Sequence, residues 1–152
     1  VRALTVFTDP ATGGLRLASG SEDKKVRVWD LAAGGAALFV LEGHTSGVGA
    51  LTAFADPATG ETRLVSGSDD KTLRVWDASK GGAALRVVAF EDAVRALAVR
   101  GDMSGLFVAF GKRWGELRIE RHDATDACVL QGRRRRNSRS SSTGRWRRPG
   151  RS

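Results

Sequence analysis

The sequence predicts an all-β protein of about three similar four-stranded antiparallel units, followed by a disordered basic C-terminal tail. The first observation is a repeat, since RLASGSEDKKVRVWD (16–30) returns as RLVSGSDDKTLRVWD (63–77). The second is that turn-forming residues separate short apolar stretches, which is typical of several short strands. The third is that no long stretch has apolar residues at the helical spacing. A unit is copied because neighbouring copies pack on one another, so the repeat predicts an architecture.

Four strands can be assigned within the first unit. ALTVF and RLASG flank TDPATGG, whose Asp-Pro pair and glycines suit the turn of a hairpin. SGSEDKKVRVWD places acidic residues and lysine at a tight turn, and a third strand follows. In that strand Val26 and Val28 face one way, whereas Arg27 and Trp29 face the other. GGAALFVL supplies the fourth strand.

The unit is repeated once with high fidelity and once weakly. Residues 1–41 align with residues 48–88 without a gap. In the third copy, VRALAV (94–99) restarts the unit, GLFVAFG (105–111) replaces TRLVSGS, and ELRIE (116–120) replaces TLRVW. We therefore expect a repeat region over residues 1–131, with units at 1–41, 48–88 and 94–130, and a tail over residues 132–152.

The recurring motifs carry a family resemblance. EGHTSGV (42–48), followed by LVSGSDDKTLRVWD (64–77), closely resembles the WD-repeat family of β-propellers. The resemblance covers roughly the first 120 residues and implies about three blades of an incomplete WD-repeat β-propeller, because closed propellers need about four to eight blades. We interpret the chain as a fragment of a longer protein or of a gene model.

The resemblance also implies a structural network of polar side chains. In such a network the turn Asp meets the loop His, the His meets the strand Ser, and the Ser meets the Trp. A buried indole N–H needs an acceptor, and the network provides one. The matching residues here are His44, Ser66, Asp70 and Trp76, with Ser19, Asp23 and Trp29 as the partial set of the first unit.

Catalytic interpretations of the same residues are weaker. Ser66, His44 and Asp70 are the residue types of a hydrolase triad, but Ser66 falls within a predicted strand and not at an exposed elbow. GLFVAFGKR (105–113) departs from the spacing of a phosphate-binding loop, and the neighbours His122 and Asp123 lack a third metal ligand. We expect no enzymatic activity, no cofactor and no metal.

The resemblance predicts a non-enzymatic scaffold for protein–protein interaction, with propeller loops presented to a partner. The family geometry implies that the His44 loop and the two acidic turns share one rim. Glu22 and Asp69, each just before the network Asp, should be exposed and free to contact a protein partner.

Composition limits the compartment and the ligands. Cys128 is the only cysteine, which excludes an intramolecular disulfide. No run of about 18 apolar residues could span a bilayer, and the N-terminus lacks the features of a secretory signal. We expect an intracellular protein, cytoplasmic or nuclear, with no membrane and no small-molecule substrate.

The basic charge belongs to the tail. The chain has a formal net charge of +8, but residues 132–152 contain nine arginines and no acidic residue, which leaves 16 basic against 17 acidic residues in residues 1–131. Such a tail could bind nucleic acid or an import receptor, and a tryptophan could stack on a base. The contacts would be Arg133, Arg134, Arg135, Arg136 and Trp146. The alternative is a mistranslated end, because a wrong reading frame of a GC-rich gene also yields Arg, Gly, Ser and Pro.

Overall fold

The computed structural model describes residues 1–102, 105–111 and 117–122, with side chains described over residues 1–99. Within these ranges the chain forms eleven strands and no helix, which confirms the all-β fold. The strands are β1 (Ala3–Thr8), β2 (Leu15–Gly20), β3 (Val26–Asp30), β4 (Phe39–Leu41), β5 (Val48–Ala55), β6 (Thr62–Ser68), β7 (Thr72–Asp77), β8 (Arg86–Ala89), β9 (Leu97–Asp102), β10 (Gly105–Gly111) and β11 (Leu117–His122). No helix among the described residues is long and apolar enough to cross a membrane.

The strands form separate sheets that follow the sequence repeat. The first sheet has the order β1-β2-β3-β4 and the second β5-β6-β7-β8, and all their pairings are antiparallel. The third sheet pairs β10 with β9 and β11. Two four-stranded antiparallel units are therefore confirmed, and the fourth strand expected before residue 130 lies outside the described residues.

Each Trp-Asp pair ends a strand with a turn that its own aspartate stabilises. Asp77 Oδ1 accepts hydrogen bonds from the backbone N–H of Ser79 at 2.9 Å and of Lys80 at 3.0 Å. Asp30 Oδ1 accepts equivalent hydrogen bonds from the backbone N–H groups of Ala32 and Ala33. This local bonding suits an Asx turn, so the aspartate following each tryptophan redirects the chain towards the outer strand.

Strand alternation separates two apolar faces of the second sheet. Leu64 and Trp76 oppose each other across β6 and β7 and lie fully buried against the first sheet. Val65 and Leu73 lie in a second core cluster, with partly buried Leu97 and Val99 of β9 packed against it. We call the face that carries Trp76, and its equivalent in the other sheets, the front face, and the opposite one the back face. The sheets thus pack front to back.

Two glycines allow these sheets to approach closely. A Cβ on Gly20 would lie 2.7 Å from Cγ1 of Val48, and one on Gly67 would lie 2.5 Å from Cγ1 of Val94. The same valines donate backbone hydrogen bonds to the preceding sheet, Val48 N to Ser21 O and Val94 N to Ser68 O, both at 3.0 Å. The second and third units therefore each begin with a buried valine that packs on a glycine of the unit before it.

The third sheet is offset by one residue from the alignment expected from the sequence. In the second sheet Leu64 opposes Trp76 and Gly67 opposes Leu73. In the third sheet Val108 opposes Glu120 and Gly111 opposes Leu117. The placement of Glu120 at the Trp76 position agrees with the expected alignment, but Gly111 then occupies the position of Gly67 and not of Ser68. The connection between β9 and β10 is shorter than its counterparts in the first two units and lacks the DPATG sequence.

Candidate functional site

A chain of hydrogen bonds links four side chains of the second unit. Trp76 Nε1–H donates to Ser66 Oγ at 2.8 Å, and Ser66 Oγ lies 2.7 Å from His44 Nε2. His44 Nδ1 lies 2.8 Å from Asp70 Oδ2. Ser66 and Trp76 come from β6 and β7, Asp70 from the turn between them, and His44 from the loop after β4. The structure thus brings together the four residues that the sequence singled out in this unit.

Donor and acceptor roles fix the protonation state of the network. A carboxylate only accepts hydrogen bonds, so His44 Nδ1 carries a proton. In the neutral imidazole Nε2 is then an acceptor, and the Ser66 hydroxyl donates to it while accepting from Trp76. A protonated His44 would direct a second N–H at Ser66 Oγ and leave the hydroxyl proton without this acceptor. The network is therefore fully bonded with a neutral histidine.

The surroundings shift the pKa values of His44 and Asp70. Burial lowers the pKa of His44 below its usual 6.5, and the hydrogen bond to Asp70 offsets this only in part. Burial works to raise the pKa of Asp70, but hydrogen bonds from Thr72, the Thr45 N–H and His44 outweigh it and lower that pKa to about 2. Thr72 Oγ1–H donates to Asp70 Oδ1 at 2.6 Å, and Thr45 N–H donates to Oδ2 at 2.9 Å.

These shifts predict a loss of stability in mild acid. Because the pKa of His44 is lower in the folded chain than in the unfolded one, the unfolded chain binds the proton more readily between the two values. The contribution is complete above the unfolded pKa of 6.5 and is lost as the pH falls through the folded pKa. We expect urea unfolding to show a decreasing free energy from about pH 7 to about pH 5, above the range in which most carboxyl groups titrate. His44→Asn should remove this slope, and an unchanged slope in that variant would assign it to another group.

The first unit contains only part of such a network. Trp29 Nε1–H donates to Ser19 Oγ at 3.0 Å, as Trp76 does to Ser66. Asp23 lies in the turn, where Arg27 Nη1 is 2.7 Å from its Oδ2, and it reaches neither Ser19 nor Trp29. The hydrogen bond from Arg27 is the largest cause of its lowered pKa. Among the described residues, Asp23 is thus a surface turn residue, unlike its buried counterpart Asp70.

The Ser66–His44–Asp70 geometry resembles a catalytic triad, but its environment does not suit catalysis. Ser66 is fully buried, and its oxygen already accepts a hydrogen bond from the Trp76 indole N–H. A nucleophilic hydroxyl must reach a substrate carbonyl, with donors waiting for the oxyanion. Ser66 has no solvent-accessible surface through which a substrate could reach its Oγ. The arrangement is suited to satisfying buried polar groups between sheets.

Ion pairs connect the acidic turns to arginines of neighbouring units. The expectation that Asp69 is exposed and free to contact a partner is wrong. Glu22 is exposed, with 73% of its side chain accessible and Arg2 Nε 3.3 Å away. Asp69 is not free, because Arg2 Nη1 and Arg95 Nε each lie 2.8 Å from its carboxylate and only 22% of its side chain is accessible. Arg2 and Arg95 occupy equivalent positions of the first and third units, where the second unit has Gly49. Asp69 therefore joins three units.

The sequence contained a signal for this contact that was missed. VRAL occurs at both residues 1–4 and residues 94–97, and the arginine of each copy precedes an inner strand. Only the packing of the sheets shows that both arginines converge on the acidic turn between them.

Other proposed sites fall partly or wholly outside the described side chains. Gly105–Gly111 forms strand β10, as expected of a degenerate strand and not of a phosphate-binding loop. The side chains of His122 and Asp123, and the tail contacts from Arg133 to Arg136 and at Trp146, lie outside the description. Within the described part of the chain, no group of three or more His, Cys, Asp or Glu residues could hold a metal ion.

Four-stranded meanders packed front to back, with a buried Trp-Ser-His-Asp network between them, define blades of a β-propeller. The family model described as "WD domain, G-beta repeat" matches residues 1–30 and 35–77. The chain belongs to the WD-repeat family.

Two solved structures of designed proteins are similar to the chain. The computationally designed Ika4 protein is 31% identical with a TM-score of 0.54, over 70% of this chain and 59% of Ika4. The computationally designed Ika8 protein has the same identity and TM-score, over 70% of this chain and 30% of Ika8. This chain thus spans less than two thirds of either. A comparison with curated proteins finds no match.

Proposed function

We propose that this chain is a non-enzymatic scaffold that binds a protein partner through the rim of its network loops. WD repeats generally mediate protein–protein interaction. The observation that carries the proposal is that some polar residues of this region bond to one another inside the fold while others are exposed on its rim. The Ser66–His44–Asp70 set is used internally, whereas the rim that it holds displays charged side chains to solvent.

The rim consists of residues 21–25, 42–47 and 68–71. Backbone hydrogen bonds connect its segments, from Val48 N to Ser21 O and from Asp69 N to Gly47 O, both at 3.0 Å. Asp70 fixes the loop after β4 through Thr45 N–H and His44. A surface held in this way loses little conformational entropy on binding, which favours recognition.

Exposed charges of both signs lie on this rim. Glu22 and Glu42 are exposed, and Lys25 Nζ lies 2.6 Å from Glu42 Oε1. Asp23 is paired with Arg27 of the adjoining strand β3. A partner surface with complementary charges would be steered to this rim, and exposed pairs of this kind contribute little to folding stability. These residues can therefore change partner choice without changing the fold.

We expect charge reversal on the rim to weaken partner binding while the fold is retained. In a pull-down from the source cell, the unaltered chain should retain a protein partner. The double variant Glu22→Arg/Glu42→Arg should bind that partner about tenfold more weakly, because steering charges alter association rates by about this factor or more. The matched control is Glu61→Arg, an acidic residue in the β5–β6 loop at the opposite end of the sheet. Equal binding by both variants would contradict a role for this rim.

A further inference from the structure

We propose that Arg74, Leu85 and Val87 bind an extended segment of a partner protein in which a carboxylate lies two residues from a large apolar side chain. We call these three residues the Arg74 surface. It lies on the front face of the second sheet, at strand β7 and the outer strand β8. It contains none of the acidic residues of the rim, so this inference does not depend on the proposed rim binding.

Arg74 lacks the carboxylate partner that its counterpart in the first unit has. There Arg27 Nη1 lies 2.7 Å from Oδ2 of Asp23, four residues earlier. Arg74 and Asp70 hold the same two positions in the second unit. Both oxygens of Asp70 already accept two hydrogen bonds each within the polar network. Arg74 consequently forms no ion pair with any residue whose side chain the structure describes.

The guanidinium of Arg74 lies at the edge of the interface between the first two sheets. Its Nε is buried and has no hydrogen-bond partner. Its Nη1 lies next to the rim loop, 2.7 Å from the place that a Cβ on Gly43 would take. The residue as a whole is only partly buried, so a ligand can reach it. A carboxylate from outside would supply charge-assisted hydrogen bonds that the chain itself does not provide.

Two exposed apolar side chains lie next to Arg74 on the same face. Val87 is its cross-strand partner and is 48% exposed. Leu85, two residues before Val87, is 57% exposed. The first sheet packs against this face and buries Trp76 completely, yet it leaves these two side chains open. The interface between the two sheets thus ends in an apolar surface beside an unpaired cation.

The spacing of the three side chains defines the chemistry of the ligand. Side chains on one face of an extended segment recur every second residue, about 6.5–7 Å apart, and Leu85 and Val87 have this spacing. Arg74 lies beside Val87, because Cβ atoms of cross-strand partners are about 4.5–5.5 Å apart. A segment that runs along β8 would therefore place an apolar side chain on Leu85 while a carboxylate two residues away meets Arg74. Glu-x-Leu and Leu-x-Glu satisfy this requirement in the two chain directions.

Nuclear magnetic resonance of the full chain tests the proposal with two synthetic heptapeptides. Both have blocked ends and consist of serine and threonine around a central Glu-Thr-Leu or Leu-Thr-Glu. We expect at least one to shift the methyl signals of Leu85 and Val87 and the Nε–H signal of Arg74 at about millimolar concentration. Glutamine in place of the peptide glutamate should raise the dissociation constant about tenfold. If neither peptide moves these signals, the proposal is wrong.

Arg74→Gln tests the direct contact between the guanidinium and the carboxylate. This variant should bind the glutamate peptide about tenfold more weakly and should no longer distinguish it from the glutamine peptide. The matched control is Arg27→Gln, at the same repeat position but already paired with Asp23, and it should bind like the unaltered chain. A preference for glutamate that persists in Arg74→Gln would show that another residue recognises the carboxylate.

Val87→Glu tests the same contact without removing the arginine. Its carboxylate would lie directly across from Arg74 and should compete with the peptide, so binding should be lost. The substitution is at an exposed position, which favours retention of the fold. The matched control is Val40→Glu, because Val40 is 46% exposed and is the cross-strand partner of Arg27. Equal peptide binding by the two variants would overturn the proposal.

Inorganic phosphate distinguishes a peptide surface from a general anion site. At the same concentration it should shift the Arg74 Nε–H signal less than the glutamate peptide does, because it makes no apolar contact. It should leave the methyl signals of Leu85 and Val87 in place. If phosphate matches the peptide at Arg74 and the peptide leaves both methyl signals unmoved, Arg74 binds anions in general and the proposed segment is not its ligand.

Discussion

Trp76→Ala is expected to destabilise the chain by about 3–5 kcal/mol, the usual range for emptying a buried aromatic site. Trp76 is fully buried, packs with Leu64 and Val28 between the first two sheets, and meets His44 edge to face with ring centroids 6.1 Å apart. Its removal would open a cavity at the sheet interface and also take away the donor to Ser66 Oγ. Since small domains have only about 5–15 kcal/mol of stability, a chain at the low end of that range would be left with almost none.

Urea unfolding followed by circular dichroism measures this loss. Trp29→Ala is the matched control, because Trp29 holds the same position in the repeat and the same bond to a serine, but its ring is only partly buried. Its loss of stability should be clearly smaller. Equal losses would show that burial between the sheets is not what makes Trp76 important.

Much of this interface could be predicted from the sequence because local rules determine it. Strand alternation places Trp76 and Leu73 on opposite faces, and the structure buries each in a different core cluster. The spacing of His44, Ser66 and Asp70 relative to Trp76 matches the pattern of a known family. In the structure, hydrogen bonds link Trp76 to Ser66, Ser66 to His44 and His44 to Asp70. Both inferences depend on residues within one unit and its preceding loop.

The features that the sequence did not predict depend on packing between units. The sequence around Asp69 is typical of an exposed acidic turn. Its partners, Arg2 and Arg95, lie 67 and 26 residues away along the chain. No local pattern indicates that these two arginines converge on one carboxylate. The register of the third sheet could not be read from the sequence, because the connection before β10 is shortened. Only the strand pairing shows that Gly111 is equivalent to Gly67.

Asp70→Ala is expected to cost about 1–3 kcal/mol, the penalty for leaving buried donors unsatisfied. The Asp70 carboxylate accepts from Thr72 Oγ1, from the backbone N–H groups of Thr45 and Thr72, and from His44. The loss should be smaller than for Trp76→Ala because no large cavity opens. It should also depend on pH. The pKa of Asp70 is lowered to about 2, so its contribution is complete above the unfolded value of 3.8 and disappears as the pH falls through about 2.

Urea unfolding of the unaltered chain and of Asp70→Ala should therefore give curves that converge as the pH is lowered from about 4 towards 2. Asp23→Ala is the matched control, since Asp23 holds the same turn position in the first unit but its side chain is 44% accessible and pairs with Arg27. It should change stability little at any pH. The decisive comparison adds partner binding. If Asp70→Ala abolished binding to a partner while thermal stability stayed unchanged, Asp70 would be a contact residue. The polar network would then not be what holds the His44 loop against the second sheet.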